Sequence, residues 1–203
     1  MPVKHLLKLF ADESKLIAQI KNKLDIQNVQ DDIDSLVDWA KEWRMAFNYE
    51  KCKTMIISKR EFTTNNFNPV MSKDDGTFHT IKTKSERDLG VTLSEDLKWN
   101  EHVRKAVAKA NSVLGMLKRT FTFWSIETFE ILYTTYFRPH LEYGAPVWNP
   151  YRRKEINLLE KVQRRATKLV QSLKNFDYKT RLEKIGITTL NKRRHRGDLI
   201  QFF

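Results

Sequence analysis

Two basic, amphipathic stretches bracket an aromatic segment between Asn100 and Leu173, and no other feature limits the fold so strongly. Val103, Val107, Ala110, Leu114 and Leu117 recur at alternating spacings of four and three, the pattern of one helix face. Arg104, Lys105, Lys109, Lys118 and Arg119 fall mostly on the opposite face. The design repeats further on: Ile156, Leu159, Val162, Ala166, Leu169 and Leu173 point inward, while Lys154, Lys161, Arg164, Arg165 and Lys168 point largely outward. Between the two lies Phe129 to Trp148, rich in Tyr, Phe and Trp. The pattern predicts three helices around an aromatic knot. Two like-charged stripes repel each other, so their recurrence suggests a surface meant for phosphate. Two solvated, lysine-rich faces fit the same spacing.

The 203 residues suffice for one good core or two modest ones, and 40% hydrophobic with 11% aromatic residues is material that folds. A net charge of +12 and a pI near 9.7 point first to nucleic acid and second to an anionic membrane surface. Cys52 is the only cysteine, which excludes an internal disulfide and a zinc site of several thiolates and fits a reducing nuclear or cytoplasmic setting. No apolar run is long enough to span a bilayer, and Met1 to Phe10, interrupted by Lys4 and Lys8, lacks the pattern of a secretory signal. The expectation is a protein that is not secreted and has no membrane partner.

Taken in order, Leu6, Leu7, Leu9 and Phe10 form an apolar run, Ala11 to Ser14 interrupt it, and Leu16, Ile17 and Ile20 resume it, which reads as a hairpin with the acids Asp12 and Glu13 at its turn. Adjacent carboxylates repel unless a cation sits close, so the turn is either a metal ligand set or an ordinary polar tip. Residues 28–46 have helical spacing, with Val29, Ile33, Leu36, Val37, Ala40 and Trp43 on one face and Asp31, Asp32 and Asp34 in the first turn. Cys52 to Ser58 is β-prone, and Asp74 to Gly76 marks a turn between extended segments. Leu89 to Leu93 reads as a strand in which Gly90 permits a bulge or a close backbone approach, and Asn100 is a candidate cap for the first long helix. Ser125 caps the next, Ile126, Phe129, Tyr133 and Tyr136 give it an aromatic side, and Pro139 should kink or stop it. After Tyr178, Leu182 and Ile185, Gly186 stops a helix, and Lys192 to Arg196 form a basic run suited to a phosphate clamp or a nuclear-import signal. Leu199, Ile200, Phe202 and Phe203 are still apolar where the chain stops, as expected of a segment that is truncated there or ends in a partner.

Several of these stretches together resemble the C-terminal half of a non-LTR retrotransposon (jockey-like, LINE) reverse transcriptase, across nearly the whole chain. Leu9 to Leu16 is similar to the aromatic-Ala-Asp-Asp turn of such polymerases. Trp39, Trp43, Phe47, Asn48, Lys51 and Cys52 resemble the Phe-Asn-x-x-Lys-Cys element that ends the palm. Leu89, Gly90 and Val91, followed by Trp99 and His102, look like the primer grip and the entry to the thumb. Arg138, Pro139, Glu142, Tyr143, Pro146 and Trp148, then Gln163, Arg164 and Arg165, are similar to the thumb signature, and Arg181, Leu182, Arg193, Arg194 and Arg196 to the segment downstream.

The resemblance implies an α+β fold: a partial palm of hairpin, helix and short strands, then a mostly α-helical thumb and C-terminal helices. It divides the chain into a palm remnant over 1–58, a connector with primer-grip-like strands over 59–99, a thumb over 100–174 and a basic helical segment over 175–203. It implies catalytic roles for Asp12, Glu13 and Lys51, with Asp12 and Glu13 as magnesium ligands, Lys51 protonating the leaving pyrophosphate, and Leu89, Gly90 and Val91 seating the primer end. Glu13 departs from the second Asp of the pattern, and its extra methylene moves the carboxylate outward by about one bond length. Template-primer nucleic acid would lie along Arg104, Lys105, Lys109, Lys118, Arg119, Lys161, Arg164, Arg165 and Lys168, with Arg193, Arg194 and Arg196 beyond. The fingers and the first half of the palm would precede Met1, so the expected partners are an RNA or DNA template-primer and that missing half, and the chain alone should not polymerise. A stand-alone nucleic-acid-binding module and a helical protein-interaction scaffold built on Trp39, Trp43, Trp99 and Trp148 are the competing readings.

Overall fold

The computed structural model describes residues 3–58, 67–73 and 76–202, and it divides the chain into two units, Met1–Lys84 and Ser85–Phe203. It is an α+β architecture of long helices and small two-stranded sheets. Among the described residues no helix is long and apolar enough to cross a membrane.

In the first unit, β1 (Leu6–Phe10) and β2 (Glu13–Ile17) form the antiparallel hairpin that the interrupted apolar run predicts, with Phe10 opposite Glu13 and Ala11 at φ 51° in the turn. The helix that follows, α1 (Lys23–Glu42), begins earlier than the apolar spacing suggests, because Asn22 and Asp25 cap it reciprocally: the Asp25 N–H donates to the Asn22 side chain and the Asn22 N–H to the Asp25 carboxylate, each at 3.0 Å. Asp31, Asp32 and Asp34 therefore lie inside α1 and not in its first turn. Asp32 is 1% exposed, and its carboxylate accepts the backbone N–H groups of Lys4 at 2.8 Å and His5 at 2.9 Å, with the His5 ring nitrogen at 2.6 Å. Burial works to raise its pKa, but these bonds outweigh burial and hold it below the ordinary carboxylate value. Trp43, read as part of the buried face, lies past the end of α1 and is 64% exposed.

The β-prone run from Cys52 is a strand only at β3 (Lys53–Thr54). Then β4 (Val70–Lys73) and β5 (Gly76–His79) pair antiparallel, and β6 (Ile81–Lys82) pairs parallel with β3. Asp74 and Asp75, read as turn residues, lie outside the described residues. Gln30 of α1 ties β4 in place by donating to the Val70 carbonyl at 2.7 Å and accepting the Val70 N–H at 3.0 Å.

The second unit opens with an antiparallel hairpin, β7 (Ser85–Asp88) and β8 (Val91–Ser94). Leu89 at φ 45° and Gly90 at φ 87° form its turn, so the strand read over Leu89 to Leu93 begins only at Val91. The close neighbour at Gly90 is a side chain and not another backbone: a Cβ there would lie 2.7 Å from the Tyr143 ring, whose hydroxyl donates to the Leu89 carbonyl at 3.0 Å. The first long helix, α2 (Asn100–Thr120), takes Trp99 at its cap position, and Asn100 is its first residue and does not cap it. Ser125 caps α3 (Ile126–Leu132) by accepting the Thr128 N–H at 3.1 Å. A π turn over Tyr133–Phe137 follows and leads into α4 (Arg138–Glu142), with Pro139 in its first turn.

That π turn corrects the aromatic face. Its wider coil carries the buried series from Phe129 and Tyr133 to Phe137 and leaves Tyr136 half exposed. The following α5 (Ala145–Trp148) buries Trp148 completely, its Nε1 donating to the Tyr143 carbonyl at 2.6 Å and its ring 4.6 Å from His102. The next long helix, α6 (Arg153–Thr167), ends before Leu169 and Leu173, which reach the core through the turns that follow. Two more helices complete the unit: α7 (Tyr178–Ile185), capped by Asp177 and stopped by Gly186 at φ 78°, and α8 (Leu190–Phe202).

Candidate nucleic-acid interface

The apolar face of α2 and that of α6 share one core. Val103, Ala110, Leu159, Val162 and Ala166 are all fully buried there with Phe129, Phe137 and Trp148. Arg104, Lys105, Lys109, Lys118, Arg119, Lys161, Arg164, Arg165 and Lys168 lie off this shared face and are exposed.

The two helices also run in the same direction. At their starts, Asn100 and Arg104 of α2 line one groove with Arg152, Lys154, Glu155 and Leu158, a cavity of about 110 Å³. Beyond their ends, the Gln171 side chain accepts the Trp124 N–H at 3.0 Å and donates to the Thr122 carbonyl at 3.3 Å. On α6, Lys161 and Arg165 continue the row of Lys154 and Leu158 at helical spacing, a stripe about 16 Å long at 1.5 Å per residue. On α2 the corresponding row spans about 21 Å from Arg104 to Lys118, with Asn111 and Gly115 between those two cations. At the start of the seam, Arg104 of α2 and Arg152 and Lys154 of α6 face one cavity.

Other predicted cations are engaged elsewhere. Lys105 pairs with Glu101 at 2.7 Å on the far flank of α2. The Arg164 guanidinium lies 4.7 Å from the centre of the Tyr178 ring, facing α7. Arg193 donates to Glu142 through Nε at 2.6 Å and Nη2 at 3.3 Å, and that carboxylate holds its pKa above the ordinary arginine value. Arg196 is exposed on α8.

Arg194 needs a correction. Read with the surface cations, it is 2% exposed, its Nε donates to Asn149 at 3.1 Å, and among the described residues neither of its Nη atoms has a hydrogen-bond partner. Burial lowers its pKa, and the guanidinium sits in the α5–α8 interface and not on the basic surface. The sequence reading missed Arg152, whose place at the start of α6 could be found only once the helix boundary was known.

In the first unit the hairpin tip carries Asp12 and Glu13, both exposed, and Lys51 closes a short 3-10 turn over Tyr49–Lys51. No hydrogen bond or ion pair joins these residues among those described, and no three His, Cys, Asp or Glu side chains gather into a metal site. Leu89, Gly90 and Val91 sit at the β7–β8 turn, where Val91 is buried and Gly144 approaches it closely.

No family model and no solved structure matches the chain. It is similar to a retrovirus-related Pol polyprotein from the type-1 retrotransposable element R1 2 of Nasonia vitripennis, with 25% identity over 144 residues that cover 68% of this chain. The matched stretch spans 35% of that polyprotein's length. The similarity supports an origin in a mobile element.

Proposed function

We propose that the chain is part of a mobile-element RNA-directed DNA polymerase and that its helical unit grips a template-primer duplex along the seam between α2 and α6. The observation that carries this reading is the groove shared by Arg104 of α2 and Arg152 and Lys154 of α6, because it brings cations of both helices to one side. Rows of about 16 to 21 Å match about five phosphates of one strand at 3.4 Å per phosphate. On this reading the helical unit supplies the grip on the duplex. Residues holding magnesium would be Asp12 and Glu13 together with carboxylates from outside this chain.

Fluorescence anisotropy with an RNA–DNA hybrid tests the reading. Neutralising about five phosphates gives a slope of log affinity against log salt near −4.5, so doubling the salt should weaken binding about twentyfold. The triple variant Arg104→Glu, Lys154→Glu, Arg165→Glu should make that slope shallower by about three, while Lys174→Glu with Lys179→Glu, away from the seam, should change affinity far less. Equal losses from both variants, or no binding by the unaltered chain, would refute the seam. Primer extension with magnesium should yield no product.

A further inference from the structure

The groove at the start of α2 and α6 continues past Arg152 and Glu155 into a second, shallower depression lined by Lys98, Trp99, Pro150 and Tyr151. Its chemistry differs from that of the rows beyond. Tyr151 is 75% exposed, with the Arg152 guanidinium 5.6 Å from its ring centre, so an aromatic face stands at the mouth beside a cation. Trp99, half-buried, lines the same depression. Both long helices begin here without a side-chain cap, so the positive ends of two helix dipoles converge on the groove.

Glu155 is part of this lining. It is 5% exposed and lines both depressions, yet among the described residues it makes no hydrogen bond or ion pair, even with Arg104, Arg152 and Lys154 around the same cavity. A carboxylate in the first turn of a helix is favoured by the dipole, which explains its tolerance there. It leaves two acceptor oxygens that no protein donor among the described residues fills and that open onto the groove, available to a donor from a ligand. A carboxylate accepts and never donates when ionised, so it selects a ligand with N–H groups, whereas the surrounding cations select an anion. A nucleobase with its phosphate carries both. At about 110 Å³ the cavity is far below the several hundred Å³ of a site for a whole cofactor, and it suits one planar ring edge or one phosphate.

We propose that this end of the groove holds one unpaired nucleotide next to the gripped duplex. The base stacks on Tyr151 and donates to Glu155, and its phosphate lies on Arg104, Arg152 and Lys154. Guanine is favoured, because its Watson–Crick edge offers two adjacent N–H donors to the two carboxylate oxygens, whereas uracil offers one. The inference rests on the duplex-gripping reading above and adds a single-strand subsite to it.

The test compares a blunt RNA–DNA hybrid with the same hybrid carrying a single-stranded overhang of G or of U, using the full chain. The G overhang should bind about tenfold more tightly than the U overhang, and the U overhang more tightly than the blunt end. Tyr151→Ala, a change at an exposed position, should remove about tenfold from both overhangs and leave the blunt hybrid unchanged. Glu155→Gln, nearly the same shape, should abolish the preference for G. Overhangs that add nothing to blunt-hybrid binding, or an unaffected Tyr151→Ala variant, overturn the subsite while the duplex reading stands. A preference for G that survives Glu155→Gln overturns the role of the carboxylate. Failure of every hybrid to bind overturns both readings together.

Discussion

His102 is 7% exposed on α2, its Nδ1 accepts the Thr92 N–H of β8 at 3.1 Å, and its ring lies 4.6 Å from that of Trp148. The bond fixes the tautomer, since Nδ1 must be free of hydrogen to accept. Burial, helped by Lys105, holds the imidazole pKa below its ordinary 6.5. Above that ordinary value both folded and unfolded states are neutral, and the contribution of His102 to stability is complete. As the pH falls below it, the unfolded chain takes up the proton first and the folded state loses ground until its own, lower pKa is passed. Urea midpoints followed by helical circular dichroism should therefore drop between pH 7 and pH 5, and His102→Gln should flatten that drop. An identical pH slope in the variant would exclude the imidazole. His102→Phe, which leaves the Thr92 N–H buried without an acceptor, should cost about 1–3 kcal/mol at pH 7. The sequence marks His102 only as part of a motif at the thumb entry. Its role depends on a strand ten residues away, which no local spacing reveals. Arg194 failed to read correctly for the related reason that a basic run looks solvent-facing whichever member turns inward.

At the scale of elements, apolar spacing identified the inward faces of α2 and α6 but missed their polar members. Glu155, Glu160, Gln163 and Thr167 are buried on α6, and Arg181 is buried on α7, where it donates to the Thr167 hydroxyl at 3.0 Å and the Phe176 carbonyl at 2.7 Å. A pattern that equates polarity with exposure cannot find them, because Gln163, Thr167 and Arg181 take their partners from neighbouring elements. The start of α1 was misjudged for a similar reason: its capping box lies ahead of the apolar series that the eye follows. Gln163 shows what such residues do. Fully buried, it accepts from the Tyr133 hydroxyl of the π turn and donates to the Thr188 carbonyl before α8, each at 2.9 Å, joining three elements at one amide. Gln163→Leu strands a hydroxyl and a carbonyl, each worth about 1–3 kcal/mol when buried, so a loss of about 2–4 kcal/mol is expected in chemical denaturation. Removing the hydroxyl as well, in Gln163→Leu with Tyr133→Phe, should recover part of that loss, since both partners are then apolar. If the double variant is less stable than the sum of the two single changes predicts, the hydrogen bond is not what couples the π turn to α6.

Over the whole molecule, stability should be uneven. The helical unit buries a continuous core, with Val103, Phe129, Leu141, Trp148 and Leu159 all at 0% exposure. In the first unit, β1 and β2 pair, among the described residues, only with each other, and Leu6, Leu9 and Phe10 are 53%, 67% and 63% exposed. An isolated hairpin is marginal in water, and this one is held to α1 chiefly where the Asp32 carboxylate accepts the Lys4 and His5 N–H groups. Its strands keep outer edges with apolar side chains beside them, the combination that promotes association between chains. Amides of Leu6 to Ile17 should therefore exchange with deuterium orders of magnitude faster than those of the α2 and α6 interiors, because they open without unfolding the core. Leu9→Lys with Phe10→Lys should raise solubility and leave the main thermal transition within about one degree, since neither side chain contributes to the helical core. Asp32→Asn should act in the opposite way, speeding exchange across the hairpin by weakening the acceptor that holds its first strand. Slow exchange in the hairpin of the monomeric protein, matching that of α2, would show instead that these exposed strands are as firmly built into the fold as the helices.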